Sequence, residues 1–203
     1  LYVKKDYANA IEMLQKNAGS INPSLLHYNL GTVYSRMENW AEARYHFLLA
    51  EKADPSLPNL VLNRELVEEH LEIARYERPS NVFDYAIKGS LLASQGILTT
   101  LSLLILVGGF FAFKKRANLV KVLVWSALVA TPVLLNFWIE KWPKGISLKT
   151  QPIAEGPSSI FNSTSELPAG VMVIVKKKGD WHQIIWPSRF EGWVKASDLK
   201  ALE

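Results

Sequence analysis

The chain contains no cysteine, which rules out both a disulfide framework and a thiolate metal site. That absence suits an exported protein. Histidine is nearly as scarce. The four, His27, His46, His70 and His182, fall in three expected helices and one expected strand, without the spacing that metal ligation needs. There is no Gly-rich phosphate loop and no G-x-S-x-G turn, and Glu69-His70 belongs to no H-E-x-x-H. No catalytic residue, metal ligand or cofactor is expected, so the chain is read as a non-enzyme. The net charge of +4 is too small to form the basic face that nucleic acid requires.

What the sequence does have is two long apolar runs. Residues 90–113 carry no charged side chain and would make a helix of about 36 Å, enough for a hydrocarbon core of about 30 Å. Lys114-Lys115-Arg116 ends that run. A second uncharged run covers 122–139, with Trp125 near one end and Phe137, Trp138 and Trp142 near the other, as in an aromatic belt. Pro132 and Asn136 are tolerable inside such a helix and offer a kink or a polar contact to the first one. The expectation is two transmembrane helices within 88–142, joined by a basic loop at 114–121. A buried hairpin of a soluble protein would need a large surrounding core that the rest of the chain does not supply.

A hairpin leaves both flanking parts on one side of the membrane. The loop holds Lys114, Lys115, Arg116 and Lys121 and no acid, whereas the outer flanks mix cations with Glu72, Glu77, Asp84 and Glu140. Positive loops stay in the cytoplasm, which puts the loop inside and both soluble parts outside. The chain opens at Leu1 with no signal peptide in view; an outside N-terminus requires one that was removed, or a longer parent chain.

Residues 24–57 place Leu30-Gly31, Tyr34, Ala43, Phe47 and Pro55 at the offsets L-G-x2-Y, A-x3-F and a closing proline. Small Gly31 and Ala43 let two helices approach, Tyr34 and Phe47 fill the layer between them, and Pro55 ends the second helix. The stretch resembles a tetratricopeptide repeat (TPR), with His27 at the usual tryptophan position. Tyr7, Ala10, Leu14 and Pro23 echo the second-helix pattern of a truncated repeat, and 58–76 reads as a degenerate closing helix, giving an all-α TPR solenoid over 1–80. The resemblance implies a groove for a protein segment, faced by Leu25, Tyr28, Asn29, Thr32, Ser35, Arg36 and Asn63. It also implies that Asn29 and Asn63 grip a ligand backbone and that Arg36 meets a carboxylate. The alternative is that these are ordinary polar surface residues.

Beyond Trp142-Pro143-Lys144-Gly145 the texture turns to short β-like runs. Strands are expected at 146–149, 171–175, 181–186 and 192–194, with a turn at 176–180 and a helical turn over 196–199. Leu167, Gly170, Val173, Val175, then Trp181 and Ile184, then Gly192, Trp193, Val194 and Leu199 make a succession that resembles a bacterial SH3-like (SH3b) domain, a small all-β barrel over 146–203. Val173, Val175, Ile184 and Val194 should point inward. The resemblance implies binding of a protein or a cell-wall peptide, and Phe161, Trp186, Arg189 and Phe190 are the expected contacts. Lys176-Lys177-Lys178 is most simply a solvated turn, with an anionic wall or lipid as the alternative partner.

The order of TPR, membrane hairpin and SH3b is similar to that of the BatE-like proteins of bacterial aerotolerance operons. This implies a multidomain, membrane-embedded, non-enzymatic scaffold of the inner membrane with both soluble domains in the periplasm. The partners it implies are proteins, other Bat-operon membrane proteins among them, and peptidoglycan. A sensor that passes SH3b ligand binding through the hairpin is the alternative, as is an accessory subunit of a wall hydrolase.

Overall fold

The computed structural model describes residues 6–92, 95–113 and 119–202. It is a mixed α and β protein with eight α-helices and a seven-stranded antiparallel sheet among the described residues. Two compact units are formed, one from Leu1–Arg78 with Pro143–Glu203, the other from Pro79–Trp142.

In the first unit, α1 (Tyr7–Lys16) starts at Asp6, whose carboxylate accepts from the Asn9 amide. Helix α2 (Pro23–Arg36) starts with Asn22 capping the Ser24 amide at 2.9 Å and Pro23 in its first turn, where no backbone donor is needed. A three-residue connection, with Glu38 left-handed at φ 58°, reverses the chain into α3 (Trp40–Ala53). Pro55 follows the C-cap residue Asp54. Ala43, Phe47 and Ala50 of α3 form a core with Leu60 and Val67 of α4 (Leu60–His70). The single closing helix expected over 58–76 is in fact two. The chain turns at Glu72, left-handed at φ 53°, before the short α5 (Ile73–Tyr76).

The sheet follows in the order β3-β2-β6-β5-β4-β1-β7. Its strands are β1 (Lys144–Ser147), β2 (Gln151–Ala154), β3 (Ser163–Leu167), β4 (Met172–Lys178), β5 (Trp181–Trp186), β6 (Gly192–Lys195) and β7 (Leu199–Ala201). Val173, Val175, Ile184 and Val194 are buried, as their alternation requires, together with Ile153, Leu167 and Val171. Ile174 is buried between Val173 and Val175 because the β4–β5 register shifts there, so neighbouring side chains both turn away from solvent. The three lysines extend β4 in exposed positions, and the hairpin turn is only Gly179 and Asp180. Ile73 belongs to the sheet core, and Leu71 packs against both cores. One end of the helical stack therefore closes over the sheet.

The second unit holds α6 (Val82–Leu92), α7 (Gln95–Phe113) and α8 (Leu119–Glu140). Residues 120–140 of α8 are long and apolar enough to cross a membrane, and almost none of that stretch is covered by protein. The apolar run expected from Ser90 is shared between the end of α6 and α7, with 93–94 outside the described residues, as are 114–118 of the basic loop. Asn136 makes its polar contact with α6 rather than α7: its Nδ2 donates to the Ser90 carbonyl and hydroxyl at 3.0 and 3.1 Å. Trp125 Nε1 donates to the Ile105 carbonyl at 2.8 Å, and its ring fills the space beside Gly109.

Candidate functional site: a groove and a buried joint

The register of α1 against α2 leaves a cavity of about 530 Å³ lined by Ala10, Met13, Leu14, Tyr28, Asn29, Thr32 and Val33. Three of the expected groove residues, Tyr28, Asn29 and Thr32, meet in it. The Thr32 hydroxyl is turned onto its own helix, donating to the Tyr28 carbonyl at 2.9 Å. Asn63 reaches the groove at second hand: its Nδ2 donates to the Tyr28 hydroxyl at 2.9 Å, which fixes the ring that forms the wall. Arg36 lies exposed in the last turn of α2 and is not part of the lining.

The four residues expected to contact a ligand on the sheet do not form one surface. Trp186 is 1% exposed and Phe190 8%, so both belong to the interior and neither shows a face to a ligand. The reason lies in where they fall: Trp186 ends β5 on its inward side, and the 3-10 turn at Ser188–Phe190 folds Phe190 back against Tyr76. Arg189 donates to the Arg75 carbonyl. Phe161 is open, 49% exposed, with its ring seated beside Gly156, and Arg189 is the other exposed member of the four.

Between α3, α4 and the sheet lies an ion-pair network that the sequence reading did not single out. Arg44 of α3 is 3% exposed. Its Nη1 and Nη2 donate to the two Glu77 carboxylate oxygens at 2.7 and 3.0 Å, and Nε donates to Glu68 Oε1 at 2.9 Å. Nη1 also donates to the Gly170 carbonyl at 2.5 Å, and Glu77 Oε1 accepts the Met172 amide at 2.9 Å. Burial works against the guanidinium charge, but Glu77 and Glu68 more than offset it and hold the group above its ordinary pKa. Glu68 lies on α4 and Glu77 directly after α5, while both backbone groups are on the sheet side, so one side chain ties the two together. The sequence carried a signal: Arg44 sits three residues before Phe47, on the stripe that α3 buries.

A second link is aromatic. His27 and His46 stack with centroids 5.2 Å apart and their Nδ1 atoms 3.0 Å apart, so one must donate to the other. Tyr34 stacks on His46 and Tyr45 meets it edge-on. Lys200 of β7 covers the Tyr45 ring at 4.2 Å and pairs with Glu42 at 2.9 Å. Burial, then His27, then Lys200, push the His46 pKa down to about 3, and burial with Lys200 lowers that of His27. Among the described residues no group of three or more His, Cys, Asp or Glu side chains is placed to hold a metal ion.

Comparison of the chain with protein-family models, with curated proteins and with solved structures finds no match.

Proposed function

We propose that the chain is a non-enzymatic, membrane-anchored adaptor of the bacterial envelope, in which a TPR-like groove captures a protein segment and an SH3-like barrel is fixed to the groove's scaffold. The observation that carries this reading is the cavity between α1 and α2. An apolar floor of Ala10, Met13, Leu14 and Val33 lies beside the polar atoms of Tyr28 and Asn29, which is the mixture that holds a peptide by its side chains and its backbone. Gly31 against Phe47 and the buried Ala43 support the TPR reading; the closely spaced antiparallel strands around Val173, Val175, Ile184 and Val194 support the SH3-like one. In this reading two membrane spans keep both soluble parts on one side, and the basic loop at 114–121 makes that side the periplasm; the partners are proteins of the same membrane, with peptidoglycan as a second ligand class. The role fits stress tolerance of the kind served by aerotolerance-operon scaffolds of the BatE type.

A photo-crosslinking residue in place of Thr32, in the full chain in native membranes, tests the groove. A discrete protein adduct that disappears in Asn29→Ala/Asn63→Ala supports the adaptor, and an adduct indifferent to both changes overturns it. Topology is tested by an impermeant maleimide on Ser56→Cys, Asn118→Cys and Ser158→Cys in spheroplasts. Labelling at 56 and 158 but not 118 supports periplasmic domains; labelling at 118 alone puts both in the cytoplasm.

A further inference from the structure

Helix α6 is polarised the wrong way round for water. Its residues Val82, Phe83, Tyr85, Ala86, Gly89 and Leu92 are exposed, Val82 at 85% and Leu92 at 72%. The buried stripe, at three-residue spacing, is Asp84, Ile87 and Ser90. The one acidic side chain of the helix is thus fully covered, and its one cation, Lys88, is half-buried four residues after Asp84, so the fully exposed positions carry no charge. A helix on a soluble domain does the reverse, burying its apolar stripe and wetting its charges. The inversion is what an apolar surrounding selects, because there the polar groups must find partners within the protein.

The end of α6 is built accordingly. Asp84 accepts from the Ser80 amide at 3.0 Å and the Ser80 hydroxyl at 2.7 Å, while its own amide donates to Asn81 Oδ1 at 2.9 Å. The first turn is satisfied by its own side chains rather than by water. Length limits the placement: 11 residues give about 17 Å of helix, which cannot cross a core of about 30 Å. Aromatic contacts locate it. Phe83 packs on Trp142 at 6.3 Å, Trp142 meets Trp138 edge-on at 4.5 Å, and Lys141 Nζ lies 4.0 Å over the Phe137 ring. Aromatic rings with cations over them are the composition of the headgroup boundary.

We propose that α6 is an interfacial membrane helix, lying at the headgroup–acyl boundary of the leaflet in which α8 ends, with Val82, Phe83, Tyr85 and Leu92 turned into lipid. This rests on reading α8 as a membrane span. The protein then meets the bilayer through a third apolar element, which ties the path of the chain out of the helical domain to the membrane surface. Tyr85 suits that depth, since its ring is apolar and its hydroxyl reaches the polar layer.

The cysteine-free chain allows a direct test. Val82→Cys, Tyr85→Cys, Leu134→Cys and Ser159→Cys, all at exposed positions, are spin-labelled singly in the full chain, in vesicles of phosphatidylcholine and phosphatidylglycerol. Collision with oxygen and with a water-soluble nickel chelate then gives the depth of each label. The expected result is a several-fold loss of nickel accessibility at 82 and 85 relative to 159, at a depth of about 5–10 Å, with 134 deeper still. Labels at 82 and 85 as open to nickel as 159, with 134 deep, overturn the proposal and leave the span intact. Labels at 82 and 85 as deep as 134 make α6 part of a span and overturn the interfacial placement. Nickel access at 134 itself removes the span, and the proposal with it.

Discussion

Arg44 and Glu77, 33 residues apart in the chain, meet as a two-pronged ion pair at 2.7 and 3.0 Å, and both also hold backbone atoms of the segment before β4 or of β4 itself. Removing one member of such a buried pair leaves a charge in low dielectric with no equal partner, which costs about 3–5 kcal/mol. Glu77→Ala and Arg44→Met are each expected to lower the unfolding free energy of the detergent-solubilised chain by that amount. The double variant should cost less than the two singles together, because the orphaned charge is gone. A loss under about 1 kcal/mol for Glu77→Ala would mean that water reaches Arg44 and the joint is not closed.

Gly31 and Gly192 are expected to reject a methyl group for different reasons. A Cβ at Gly31 would stand 2.7 Å from the Phe47 ring, in a helical conformation that alanine itself favours. Gly31→Ala should therefore cost about 1–3 kcal/mol through crowding alone, and Phe47→Leu in the same chain should return part of it. Gly192 has φ 149°, and its Cβ would meet Ile153 Cγ2 at 2.3 Å and the Ala154 carbonyl at 3.0 Å. Backbone strain and collision act together there, so Gly192→Ala should be the more damaging of the two in urea unfolding, with no neighbouring truncation that restores it.

These residues also show what could be read from the sequence. Spacing alone singled out Gly31, Ala43 and Phe47, and all three are buried in the helical layers. The strands at 181–186 and 192–194 were marked by alternation and by the Gly179 and Gly192 turns. Strands β2 and β3 were not. Pro152 and Glu166 disfavour strands and the run Ser163-Thr164-Ser165-Glu166 has no apolar alternation, so both strands are held by pairing, with each other and with β6. The groove was legible because its residues lie one turn apart on α2. The joint was not, because Arg44, Glu77 and Gly170 are far apart in sequence, and only tertiary packing brings a helix, a linker and a loop together.

Trp186 and Phe161 should separate stability from binding on the sheet. Trp186 is among the largest fully buried side chains, and Trp186→Ala is expected to cost about 3–5 kcal/mol by leaving a cavity. Phe161 is half exposed, and Phe161→Ala should stay within about 1 kcal/mol. Pull-down on purified peptidoglycan supplies the other readout. A loss of retention in Phe161→Ala at unchanged stability keeps a ligand site at that end of the sheet. Retention that falls only in Trp186→Ala, and in step with its unfolding, assigns the aromatic residues to the fold.

His46 makes the stability of the first unit depend on acid. Its folded-state pKa is pushed down to about 3, chiefly by burial and then by His27 and Lys200, while the unfolded chain titrates near 6.5. Between those values the unfolded state binds a proton that the folded state refuses. The contribution is complete above about pH 6.5 and is lost as pH falls toward 3, at about 1.4 kcal/mol per pH unit. The groups facing the pair are Tyr34 of α2, Tyr45 and Glu42 of α3, and Lys200 of β7. His46→Phe keeps a ring in the stack but carries no proton, so urea unfolding between pH 6 and 4 should show a slope shallower by about that amount than the parent. Lys200→Met removes one of the charges that oppose protonation. His46 should then accept its proton at higher pH, and the acid loss should level off sooner than in the parent. Equal slopes in the parent and His46→Phe would mean that His46 is already protonated in the folded chain, and that the His27 contact is a cation donating to a neutral ring.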